Sequence, residues 1–327
     1  APVNHIAVDP TGSLLLSATG DSSLRLWNLG LQESTVDDTV DDDLDAYLGD
    51  TKQKIASVSV QAVVKPRSFH KAGVSGVCMY VDGGLATTCS FDNTVRVWDI
   101  GSSGISEACS FDLGYKVYAH SLGHQANPLV ATGGDHPHIR LIDLRTLASS
   151  QILRGHSLGK VLAVEWCPTN DYIIASGGSD GSVRLWDIRS AASSIACLSN
   201  KLGPVNGVKW HESGKYLVTN GNDEIVRLWS GVNQENLHVN YGPHVRNRFL
   251  QTTHMAITPA ATSPDEYPLL LVPSDSGQVI MLDMFSGRLI RKLSRNASDA
   301  RVTSVVCRGA GTTDLLTSAQ DGTIRWW

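Results

Sequence analysis

The sequence has little cysteine and no cysteine pattern. Its six cysteines, Cys78, Cys89, Cys109, Cys167, Cys197 and Cys307, are scattered and never form C-x-x-C. That spacing argues against a zinc site and a disulfide framework, and favours a reducing compartment. No run approaches the roughly 18 to 20 apolar residues of a membrane span, and no secretory leader opens the chain. There is no Walker loop, dinucleotide fingerprint or metalloprotease helix. Excess charge is also scarce, at −5 over 327 residues. The imbalance is local, because Glu33 to Asp50 hold eight acids and no base. The remainder is therefore nearly neutral and lacks the basic bias of a sequence-independent nucleic-acid binder.

What is present is a hydrophobic content of 42%, enough for a globular fold, and a repeat. The stretch Arg154 to Arg189 opens on Gly-His and closes on Trp-Asp-Ile-Arg. Between lie three runs of strand length, Val161 to Trp166, Tyr172 to Ala175 and Val183 to Ile188, with Asn-Asp and Asp-Gly at the turns. The same layout recurs at Ser17, Asp21 and Trp27; Thr88, Asp92 and Trp98; Thr219, Asp223 and Trp229; and Thr317, Asp321 and Trp327. In each, as in Ser176, Asp180 and Trp186, a hydroxyl precedes the Trp by ten residues and an Asp precedes it by six. Two further units are degenerate, with Ile142 and Leu282 at the Trp position. Seven such units at a period of about 40 to 45 residues predict an all-β, seven-bladed propeller spanning 1–327 as one domain, since no unit alone covers its apolar faces. Segment 31–55 is too polar to pack and is expected to be a flexible acidic loop between the first and second units. A calcium loop fits it poorly, because the central Gly and terminal Glu are out of register.

Several residues imitate chemistry. His156, Ser176 and Asp180 have the composition of a hydrolase triad, and Gly177 to Gly181 satisfies G-x-S-x-G. A nucleophile elbow needs a helix after the turn, whereas a strand follows here. The pairs His120/His124 and His136/His138 lack the cysteine or carboxylate company of a metal site and are expected to be turn and surface histidines. Arg288, Arg291, Lys292 and Arg295, and His244, Arg246 and Arg248, read as solvated blade edges. Asn296-Ala297-Ser298 matches the glycosylation triplet, which means little without a secretory context.

The repeat resembles the WD-repeat β-propeller family over nearly the whole chain. That resemblance implies a structural hydrogen-bonded tetrad at His156, Ser176, Asp180 and Trp186, and a second at His70, Thr88, Asp92 and Trp98. Such propellers close by lending an N-terminal strand to the last blade. The first unit here starts near Val3 and the last stops at Trp327, so part of the natural protein is expected to lie outside this sequence.

Asp187-Ile188-Arg189 and Asp143-Leu144-Arg145 share Asp-x-Arg on adjacent units. Arg presents a rigid donor fork suited to carboxylates. The pattern is similar to the W-D-x-R box of propellers that serve cullin-type ubiquitin ligases. IIASGGSDGSVRLWDIR, PVNGVKWHESGKYLVTNGNDEIVRLW and NQENLHVNYG further resemble the Cockayne syndrome A family of such receptors across most of residues 1–250. The resemblance implies a non-catalytic substrate receptor in transcription-coupled nucleotide excision repair, located in the nucleus. Asp143, Arg145, Asp187 and Arg189 would face the ligase's damaged-DNA-binding adaptor subunit. The partners would be the Cockayne syndrome B-type ATPase and the RNA polymerase II complex. No cofactor, metal, membrane or small-molecule substrate is implied, and direct nucleic-acid contact is left open. The alternative is a general WD-repeat scaffold or histone-tail reader with no ligase association, which needs no Asp-x-Arg pair.

Overall fold

Apolar residues alternate inward along short strands, and a tight turn after each Asp folds neighbouring strands into hairpins. In six units the residue five before the Trp position lies at positive φ: Ser22, Asn93, Gly181, Glu224, Gly277 and Gly322. This left-handed turn residue gives the hairpin the twist of its flanking strands. The computed structural model describes all residues except 30–58, 65–69, 81, 102–103, 124–127, 158, 191–193, 200–202, 260–266, 295–299 and 310–312.

Seven antiparallel meanders result, one per unit. Blade 1 contains Val3–Val8, Leu14–Thr19, Leu24–Asn28 and Ser59–Val64. Blades 2 to 5 span 74–112, 117–154, 161–199 and 205–236, blade 6 spans 256–293, and each has four strands. Blade 7, Val302 to Trp326, has three strands among the described residues. The strand after the Trp belongs to the same sheet as the three before it. The Gly-His to Trp-Asp stretch is thus one strand out of phase with the blade. The second strand of blade 4 is Ile173–Gly178, three residues longer at its end than the apolar run. Ser59–Val64 pairs with Leu24–Asn28, so the acidic segment interrupts blade 1 rather than separating blades 1 and 2. Segment 31–55 itself lies outside the described residues.

The inner strands surround a central channel. In blades 1 to 5 and 7 the pairing of the inner strand slips just after its first Val. In blades 1, 2 and 7 the skipped residue bridges blades: Asn4 donates to the Val74 carbonyl at 2.7 Å, Ser75 to Val117 at 2.6 Å and Thr303 to Val3 at 2.6 Å. A β-bulge leaves one residue free of its own ladder, and here that residue serves the next blade. The last of these bonds joins blade 7 to blade 1. Arg308 adds donations to the carbonyls of Gly12 at 2.9 Å and Leu29 at 3.1 Å. Val3, Ile6, Leu15, Leu29 and Leu316 form the core beneath it. Blades 7 and 1 thus meet through these bonds and this core.

Candidate functional site

All five Trp-bearing units place the indole N–H on the hydroxyl ten residues earlier, at 2.8 to 3.0 Å. Blades 2 and 4 add a histidine from the preceding loop. In blade 4, His156 Nε2 lies 2.8 Å from Ser176 Oγ, and His156 Nδ1 lies 3.2 Å from Asp180 Oδ1. In blade 2, His70 lies 2.8 Å from Thr88 Oγ1 and 2.9 Å from Asp92 Oδ2. The carboxylate accepts from Nδ1–H, so Nε2 accepts from the hydroxyl, whose oxygen accepts from the indole. Burial alone would raise the Asp180 and Asp92 carboxyls, but hydrogen bonds from His156 and Ser182, and from His70 and Thr94, hold both well below the usual carboxylate range. Gly155 must be glycine here, because a Cβ would meet the Trp186 ring at 2.8 Å.

The same proton order runs through a hydrolase triad, but the setting differs. Ser176 is fully buried, and its oxygen is already capped by Trp186. A nucleophile needs both access and a free lone pair. His156, Ser176, Asp180 and Trp186, like His70, Thr88, Asp92 and Trp98, therefore satisfy one another's polar groups inside a core.

The Asp-x-Arg pairs lie at strand ends of blades 3 and 4. Arg189 donates from Nε at 3.0 Å and Nη2 at 2.6 Å to the two oxygens of Asp187, and stacks over Tyr172 with 4.5 Å to the ring centre. Arg145 closes on Asp143 in the same way, at 3.2 and 3.1 Å. Each guanidinium fork is spent on its own turn, although both side chains remain 63% exposed. His244, Arg246 and Arg248 lie apart from this rim. Arg248 pairs with Glu224, while Arg246 donates its backbone N–H to Ser274. His124, Arg295 and Asn296 lie outside the described residues.

The central channel escaped the sequence reading. It encloses about 300 Å³ lined by all inner strands but carries its charge on two. Glu165 and Lys209 pair at 2.5 Å across blades 4 and 5, and Glu165 also accepts the Trp210 N–H at 2.7 Å. Burial raises the Glu165 carboxyl, while Glu165 raises the Lys209 ammonium against its own burial. His5 and His254 stack face to face with centroids 3.4 Å apart. Burial pushes His254 down to about 3 and His120 down to about 4. His120 bonds to Thr87 at 2.9 Å, so it is a buried channel-wall residue rather than a turn residue. No group of three or more His, Cys, Asp or Glu among the described residues is arranged to hold a metal. Glu165-Trp166 and Lys209-Trp210 sit 44 residues apart at equal positions of adjacent units. That opposed charge was the available signal.

Residues 1–28, 63–99, 147–187 and 193–230 match the WD domain, G-beta repeat. With the seven sheets, the chain is a seven-bladed β-propeller that contains WD40 repeats. It is 28% identical over 179 residues to the ribosome biogenesis protein WDR12 homolog of Anopheles gambiae, covering 52% of this chain and 37% of that protein. It is 30% identical over 185 residues to the ribosome biogenesis protein YTM1 of Eremothecium gossypii, covering 53% and 40%. It is 34% identical over 176 residues to WD repeat-containing protein ATCSA-1 of Arabidopsis thaliana, covering 52% and 36%. The chain spans about two fifths of the length of these relatives.

These findings correct the expected role. Relatives named for ribosome biogenesis overturn the reading as a ligase receptor in DNA repair. The adaptor subunit, the Cockayne syndrome B-type ATPase and RNA polymerase II fall with it as partners. At the rim, Arg145 and Arg189 pair with Asp143 and Asp187 and remain exposed.

Proposed function

We propose that this chain is a non-catalytic docking scaffold of a ribosome-assembly complex. The observation that carries the reading is the likeness to proteins named for ribosome biogenesis over about half the chain. The geometry supports a scaffold, because the triad-like constellations of blades 2 and 4 are buried and internally satisfied. A ring closed by interblade bonds presents loops on a rigid frame, which suits recognition. A nuclear location fits the same reading.

The test is affinity purification of the tagged chain from nuclear extract, with gradient sedimentation and mass spectrometry. Co-sedimentation with large particles containing ribosomal proteins is the expected result. Migration as a small complex free of ribosomal proteins would overturn the reading. Arg145→Glu with Arg189→Glu should leave the particle association unchanged.

A further inference from the structure

Blade 3 departs from the five Trp-bearing blades at the positions of their Asp and Trp. Counting back from the Trp position, the Asp becomes His136, the residue two later, a hydroxyl in four of those five blades, becomes His138, and the Trp becomes Ile142. The turn residue between the histidines is Pro137, whose ring forbids the left-handed conformation used in the other blades. The hairpin tightens instead, pairing Gly134 with His136. Both histidines therefore lie on the strand His136–Asp143 rather than in a turn.

The consequence is an unbalanced cation. Six units carry an arginine two residues before the Trp position. Arg25, Arg227 and Arg325 face the Asp four residues back, Arg96 pairs with Glu107, and Arg184 donates to Ser194. Arg140 has no acid there, because His136 stands in its place. Among the described residues it makes only a 3.3 Å donation to the Leu113 carbonyl and lies 5.4 Å from the centre of the Tyr115 ring. Tyr115 is admitted by Gly134, where a Cβ would lie 2.9 Å from the ring.

Tyr115, His136, His138, Arg140, Ile152 and Arg154 together line a cleft of about 290 Å³. No carboxylate lines it, and the adjacent Asp135 is engaged by Lys160 at 3.3 Å. Tyr115 and His136 stack with centroids 5.3 Å apart and planes 27° from parallel. His136 Nδ1 accepts the His138 N–H, which leaves Nε2 as a donor. His138 Nδ1 is buried without a partner among the described residues.

We propose that this cleft binds single-stranded RNA, with a backbone phosphate between Arg140 and Arg154 and a base continuing the Tyr115–His136 stack. Guanidinium groups beside stacked rings are the means by which unpaired bases and their phosphates are held together. A phosphopeptide would use the arginines and leave the rings idle. The near-neutral net charge is no obstacle, since the basic groups are concentrated rather than numerous. The choice of RNA over DNA rests on the ribosome-assembly reading, whereas the cleft itself does not.

The experiment is fluorescence anisotropy of the purified chain with labelled oligouridine and oligoadenosine RNA, DNA of matching sequence, and a phosphoserine peptide. His136→Asp restores the residue of the five Trp-bearing blades opposite Arg140, so it should preserve the melting temperature. It should weaken RNA binding about tenfold, as should Arg154→Glu, with a shallower salt dependence. RNA binding unchanged by both variants would overturn the proposal, as would binding of the phosphopeptide alone. Equal affinity for DNA would overturn the assignment to RNA. Particle association retained by a His136→Asp chain that has lost RNA binding would support the cleft. That outcome separates the cleft from the scaffold reading, which the particle experiment tests on its own.

Discussion

Blades 3 and 4 are neighbours with the same strand order, and they use one register in opposite ways. Blade 4 fills its outer end with Trp186, Ser176, His156 and Asp180, each satisfying the next. Blade 3 keeps the hydroxyl, Thr132, but pairs it to the Arg140 carbonyl on its own ladder at 3.0 Å. Ile142 then packs where the indole would be, opposite Val130 as Trp186 is opposite Ile174. A buried polar network must be complete or absent, because a half-satisfied one costs more than an apolar core. Blade 4 takes the first solution and blade 3 the second. Among the units that carry the arginine two before the Trp position, only blade 3 has a histidine in place of the Asp four residues before that arginine.

The largest break in this comparison is expected from Trp186→Ala. It empties a fully buried site and removes one of the two hydrogen bonds of Ser176, and should cost about 3–5 kcal/mol in urea unfolding, more than Ile142→Ala at the matching position. Equal costs would mean that the tetrad adds nothing beyond volume. Next comes the hydroxyl itself. Ser176→Ala should cost about 1–3 kcal/mol by stranding buried partners, while Thr132→Val should cost about 1 kcal/mol.

The acid limb of stability should follow the tetrads as well. Asp180 and Asp92 are held below their ordinary pKa in the fold. Their contribution is complete above the unfolded carboxylate value of about 3.9 and is lost as pH falls below it. Unfolding midpoints measured from pH 5 to pH 2 should therefore fall less steeply for Asp180→Asn than for the parent chain. Blade 3 carries no acid at that position, so no tetrad carboxylate there adds to this slope. The smallest effect is expected at the rim. Arg189→Ala removes an exposed pair and should leave the melting temperature unchanged within error.

Much of the architecture could be read directly. A ten-residue hydroxyl-to-Trp spacing is legible because the two strands are joined by one short hairpin, so sequence distance maps onto register. The five Trp–hydroxyl bonds are local consequences of that register. The channel was not legible, because its wall takes one strand from every blade. Glu165 and Lys209 meet only after the ring has brought blades 4 and 5 together. The fourth strand of blade 1 was missed for a related reason, since its partner Leu24–Asn28 lies on the far side of the acidic segment. His136 and His138 were visible as residues, but their place depended on Pro137 and on how it shortens the turn.

The amino-acid order thus determined by itself the repeat, the number of blades and the pairing inside each hairpin, because these depend on side chains a few residues apart. Only the tertiary structure decided the closure of blade 7 on blade 1, the charges facing the channel and the open cleft of blade 3. Those features arise where distant strands are packed side by side, and burial there decides which polar groups find partners and which remain available.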